Sequence, residues 1–119
     1  MPYMKLNTTH KLTDEQKDIL AEKLSNAIEN IPGKPAYGVI MHFDDDKTFY
    51  LGGVKQDDYV VVNTNVYGKC EFQAKYNFSV DVFKAISEVL GTPKEKMSMT
   101  FVEHMGWGGF GDYVEIEEC

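Results

Sequence analysis

Gly33-Lys34-Pro35 stands five residues ahead of Met41-His42-Phe43, and Gly91-Thr92-Pro93 stands five residues ahead of Met99-Thr100-Phe101. Gly, Pro, Met and Phe therefore recur at one spacing. Near the start of each copy, Leu6-Asn7-Thr8 is echoed by Val62-Asn63-Thr64. A chain written twice folds as two copies of one supersecondary unit, which removes most architectures from consideration. Its 119 residues are the length of one domain. We expect that domain to span residues 1–119, with the copies at about 2–51 and 59–104.

Each copy reads strand, helix, strand. Pro2–Thr8 is a short extended run. Thr13 is placed as an N-cap, with Gln16 completing a capping box and Asp14 and Glu15 in the first turn, where acidic side chains favour the helix dipole. Ile19, Leu20, Leu24, Ala27, Ile28 and Ile31 follow at helical spacing, and Pro32-Gly33 ends the helix. Val39–Phe43 is the second strand, and Asp44-Asp45-Asp46 turns the chain into Thr48–Leu51. In the second copy Tyr59–Asn65 is a β-branched run. Val82, Phe83, Ile86, Val89 and Leu90 then face inward from a helix whose start is ambiguous around Asn77-Phe78-Ser79. Met97–Glu103 is the last long strand, and Asp112–Glu117 forms a short edge strand.

Two such units combine into an α+β fold: one four-stranded mixed sheet with both helices on the same face. The runs Val60-Val61-Val62 and Val39-Ile40-Met41 are apolar at successive positions, a pattern of burial on both faces. Two helices cover only one face. Either another subunit covers the other, which makes the protein an oligomer, or Lys and Asn side chains keep it wet.

Composition narrows the partners. A formal charge of −7 and a pI near 4.8 oppose attraction to nucleic acid or an anionic membrane surface. All twelve basic residues are lysine, so the bidentate arginine clamp on carboxylates and phosphates is missing. No apolar run approaches the roughly 20 residues needed to span a bilayer. Met1-Pro2-Tyr3-Met4-Lys5 lacks the layout of a secretory signal, so a cytoplasmic protein is expected, with any export by a non-classical route. On that reading the sequons at Asn7 and Asn77 are chance matches.

The chemically distinctive position is Pro2. Aminopeptidases remove an initiator Met before Pro, which would expose a rigid secondary amine. In a desolvated site or beside a cation the protonated amine is disfavoured, and the nitrogen becomes a usable base. The alternative is that Pro2 serves processing alone.

Pro2 opens a strand through Asn7-Thr8, a capped helix follows, and then come Gly33-Lys34-Pro35, a strand holding His42, Gly52-Gly53 and, near the end, Gly106-Trp107. Across nearly the whole chain this resembles the macrophage migration inhibitory factor family of the tautomerase superfamily. The resemblance implies a homotrimer with active sites between subunits and no cofactor. It also implies an isomerase, in which the N-terminal proline moves a proton between the carbon and oxygen ends of an enolisable 2-keto acid such as phenylpyruvate. Lys34 would hold the carboxylate or enolate oxygen, and the backbone N–H of Val66 would complete the anion site. Developing enolate charge does need preorganised donors, and Lys34 is the cation best placed near Pro2; a plain exposed turn lysine is the competing reading.

Where animal members of the family carry a tyrosine and an asparagine on the last long strand, this chain has Ser98 and Thr100. These could bond a smaller acid, and they put aromatic preference in question. Tyr3, Tyr37, Trp107 and Phe110 are candidates for the pocket mouth, although aromatics are more often core. The CxxC of some relatives is absent around Gln56-Asp57-Asp58, which argues against thiol oxidoreduction. Relatives that act as cytokines supply a second reading: a host-modulating protein with a vestigial pocket whose partner, if it is secreted, is a receptor.

The remaining signals are weaker. Cys70 and Cys119 are too far apart for a redox or zinc pair. His10, His42 and His104 show no metal-ligand spacing, and Asp44-Asp45-Asp46 lacks the rest of a calcium loop. Gly106-Trp107-Gly108-Gly109-Phe110-Gly111 reads as a tight turn and a flexible approach to the C-terminus.

Overall fold

The computed structural model describes residues 1–116. Its order is β1 (Tyr3–Thr8), α1 (Asp14–Ala27), β2 (Ile40–Asp44), β3 (Phe49–Leu51), β4 (Val54–Gln56), β5 (Val60–Tyr67), α2 (Phe72–Leu90), β6 (Met97–His104), β7 (Gly106–Gly109) and β8 (Asp112–Glu115). Four strands form one mixed sheet in the order β2-β1-β5-β6. β1 pairs with β2 in parallel, β5 pairs with β6 in parallel, and β1 and β5 meet antiparallel at the centre. The two β-α-β units expected from the repeat are therefore present. No described helix is long and apolar enough to cross a membrane.

Helix α1 begins where its capping chemistry puts it. The Thr13 hydroxyl accepts from the Gln16 N–H at 3.1 Å, and the Gln16 side chain accepts from the Thr13 N–H at 3.0 Å. Leu20, Leu24, Ala27, Ile28 and Ile31 line one buried stripe. Ile19, expected on that stripe, lies about 100° around the helix from Leu20 and is 37% exposed. The α-helix stops at Ala27 and tightens into a 3₁₀ turn, Ile28–Asn30, ahead of Pro32. Helix α2 starts at Phe72 behind Glu71, which makes no side-chain cap bond. Phe78 is thus interior to the helix, fully buried, with its ring edge-on to Phe101 at 5.8 Å. The core between sheet and helices is closed by Met4, Leu6, Val60, Val62, Val66, Val82 and Ile86.

Strict alternation along β5 buries Val60, Val62, Thr64 and Val66 and turns Val61, Asn63, Asn65 and Tyr67 to the open face. Val60 and Val62 are thus buried against the helices, while Val61 is half-buried on the face that the helices leave open. Val61 stands in a cross-strand row with Asn7 and Ser98, on a face that is laced with polar bonds. Asn7 donates to the Asn63 side chain at 2.8 Å, Asn63 donates to Thr100 at 2.9 Å, and Lys5 pairs with Asp44 at 3.5 Å.

The C-terminal glycine-rich stretch is also corrected, because Gly106–Gly109 is strand β7. It pairs antiparallel with β8 through Trp107 opposite Val114. Phe110 and Gly111, both at positive φ (53° and 77°), close the hairpin. The expected edge strand is thus the second arm of this hairpin and does not extend the main sheet. Glu117 and Cys119 lie outside the described residues.

Candidate active site

The N-terminal end of β1 is where the candidate residues converge. The Pro2 carbonyl accepts the Ile40 N–H at 2.8 Å, which fixes Pro2 to β2, and Pro2 shares a cavity with Tyr37 and Gly38 of the turn Ala36–Gly38. A proline at the mouth of a strand costs no ladder bond. Pro2 itself is buried. Gly33, at φ 80°, swings Lys34 back across this end of the sheet, and its Nζ donates to the Tyr67 carbonyl at 2.9 Å. A cavity of about 290 Å³ opens here, lined by Met1, Pro2, Lys34, Tyr37 and Phe110 with the segment from Gly33 to Ile40.

The electrostatics favour a neutral amine. Burial pushes the Met1 α-amine below its ordinary value, and the Lys34 charge lowers it further. Both effects disfavour the ammonium form. Behind the site the Glu103 carboxylate accepts from Lys75 at 2.9 Å and from the Cys70 N–H, which holds it below the usual carboxylate range. That carboxylate ties down the turn joining β5 to α2. Cys70 is partly buried, and burial raises its thiol.

The register of β5 settles which backbone groups face this end. The Thr9 N–H bonds the Tyr59 carbonyl, so odd-numbered residues of β5 turn their amides to β1. The Gly68 N–H bonds the His104 carbonyl, so even-numbered residues turn theirs to β6. Val66 therefore spends its N–H inside the sheet, and its side chain is fully buried. The backbone group that faces the start of the chain is that of Tyr67, one residue on, whose carbonyl already holds Lys34.

Other candidates lie elsewhere. Tyr37 and Phe110 flank the cavity, 92% and 94% exposed. Trp107 lines a neighbouring cavity of about 380 Å³ with Asp112 and Val114, and Met1 and Phe110 border both cavities. Tyr3 points to the open sheet face, where its hydroxyl meets His42 Nδ1 at 2.9 Å. Ser98 and Thr100 occupy the same open face on β6, bonded to Tyr59 at 3.2 Å and to Asn63. Neither lines the Pro2 cavity of its own chain. Among the described residues no three His, Cys, Asp or Glu side chains converge as a metal site.

A sequence profile for macrophage migration inhibitory factor (MIF) matches residues 1–110. The chain belongs to that family. A comparison with curated protein sequences gave no significant match. Among solved structures, the MIF2 protein of Leishmania major superposes with a TM-score of 0.87 at 18% identity, over 96% of this chain and 97% of that one. The macrophage migration inhibitory factor of Toxoplasma gondii gives 0.84 at 18% identity, over 94% and 99%. N1, a member of the cis-3-chloroacrylic acid dehalogenase family, gives 0.83 at 18% identity, over 92% and 81%. At such identities the likeness to these three structures is one of fold.

Proposed function

We propose that this protein, with Met1 removed, is a cofactor-independent keto–enol tautomerase acting on 2-keto acids of the phenylpyruvate type. The observation that carries the reading is the environment at the start of β1: Pro2 and Lys34 line one cavity, where burial and Lys34 together lower the Met1 α-amine one residue from the Pro2 nitrogen. Neutral Pro2 nitrogen takes a proton from the carbon next to the keto group. The electron pair moves into the enolate, and the proton is delivered to oxygen; the ketonising direction runs the same steps in reverse. Lys34 and the Tyr67 N–H, in place of that of Val66, face the oxygen on which charge develops. Lys34 exchanges its bond with the Tyr67 carbonyl for one to substrate.

The same reading makes the protein a homotrimer. Ser98 and Thr100 reach a Pro2 cavity only when a second copy brings its sheet face or edge over it. Exposed Tyr50, Leu51 and Val54 on the β3–β4 hairpin, with Met105 and Val114, offer apolar surface for such contacts.

The test is phenylpyruvate tautomerisation by protein whose intact mass lacks Met1. Turnover that disappears in Pro2→Gly and in Met1-retained protein supports the proline base. Absence of turnover in the Met1-free protein sinks it and passes the lead to a binding role.

A further inference from the structure

Helix α2 is apolar on more than its buried side. Phe78, Val82, Ala85 and Ile86 are buried in the core. Phe72, Tyr76 and Val80 recur at every fourth residue on the exposed side, at 74%, 54% and 47% exposure. The Phe72 and Tyr76 rings lie 6.1 Å apart, so the first two form one surface. The single charged side chain between Glu71 and Asp81 is Lys75, and it is drawn inward to Glu103 at 2.9 Å and over the Phe101 ring. The polar groups beside the stripe are already satisfied. Gln73 Nε2 donates to Asn77 Oδ1 at 2.9 Å, and the Ser79 hydroxyl donates to the Tyr76 carbonyl at 2.6 Å. Covering this surface therefore strands few polar groups, which is the usual cost of docking.

We infer that the stripe is a contact between two copies of this chain, α2 against α2, antiparallel about Tyr76. The spacing is self-complementary, as a two-fold contact requires. In that register Tyr76 meets its own counterpart, and Phe72 of each copy lies beside Val80 of the other, so a large side chain faces a smaller one at both ends. Charge points the same way. A net charge of −7 makes two copies repel, and an approach along this stripe brings no exposed charge face to face. Side chains exposed to these extents offer roughly 300–400 Å² per copy. A stable interface needs about 800 Å² per partner, so the association is weak and concentration-dependent. It is independent of the proposed reaction.

The experiment is sedimentation velocity over a concentration series, at low and at high salt. We expect the wild-type mass to rise above that of the dilute species, whatever oligomer that species is. High salt strengthens the association, because it screens the net charge and leaves apolar contact intact. Tyr76→Glu sets two carboxylates face to face and weakens association about 100-fold or more; Val80→Glu also abolishes it. Asn26→Glu, which adds the same charge at an exposed position on α1, leaves it unchanged. A wild type that keeps its dilute mass gives the stripe to a different protein and overturns the inference. So does a Tyr76→Glu protein that associates as the wild type does, or an association that high salt dissolves.

Discussion

Replacing Lys34 by methionine keeps the length of the side chain and removes its charge. In the folded protein Nζ sits 2.9 Å from the Tyr67 carbonyl, at the edge of the 290 Å³ cavity that contains Pro2. Two separable effects follow. Loss of a preorganised donor at a developing oxyanion costs about 10²–10³ in kcat, or about 3–4 kcal/mol of transition-state stabilisation. The second effect concerns the base. Lys34 lowers the Met1 α-amine, second to burial; on the proposed reading it acts in the same sense on the Pro2 amine, which without that charge protonates more readily. The acid limb of kcat/KM against pH must then move to higher pH. Stability changes little, because only one hydrogen bond is lost, about 1 kcal/mol and about 4 °C in Tm for a domain of this size. The assay is a pH series of phenylpyruvate kinetics on Met1-free wild type and Lys34→Met, with a thermal melt of each. An acid limb that stays in place, or a kcat within twofold of wild type in a folded variant, refutes the role assigned to Lys34.

Phe78→Ala empties a fully buried position packed edge-on to Phe101 and should cost about 3–5 kcal/mol, read as a fall in the urea midpoint. Thr13→Ala removes half of the α1 capping box and should cost about 1 kcal/mol in the same measurement, with Thr13→Ser close to neutral. At the far end of β1, burial raises the Asp58 carboxyl, but hydrogen bonds from His10 at 2.6 Å and Thr92 at 2.8 Å outweigh it and hold it below its ordinary value. A lowered folded-state value stabilises above the unfolded carboxylate range and is lost as pH falls through the folded value. The stability difference between wild type and Asp58→Asn should therefore be constant near neutral pH and shrink below about pH 3.9, as urea melts across pH 3–7 will record.

Punctuation makes the repeat legible. Glycine and proline end each helix, and Met and Phe recur on the strand that follows, so the two β-α-β units can be read from residue order alone. The start of α2 is not legible in this way, because Glu71 makes no side-chain cap bond and the first turns expose Phe72 and Tyr76. Strand β7 is hidden because Gly106, Gly108 and Gly109 carry no side chains to show a two-residue period; pairing with β8 makes it a strand. The site is partly legible. Pro2, Lys34, Tyr37 and Phe110 do meet at one cavity. The choice between the Val66 and Tyr67 amides depends on strand parity, which only the Thr9–Tyr59 and Gly68–His104 bonds reveal.

The central claim is that the Pro2 nitrogen is neutral where it works. Its direct measurement is an NMR titration of ¹⁵N-proline-labelled, Met1-free protein, set beside the pH dependence of phenylpyruvate turnover by the same sample. The account predicts that Pro2 titrates below the value of the same proline at the start of an unfolded peptide, and that turnover rises along that titration. An amine titrating at or above the peptide value, or turnover that ignores its protonation, contradicts the account.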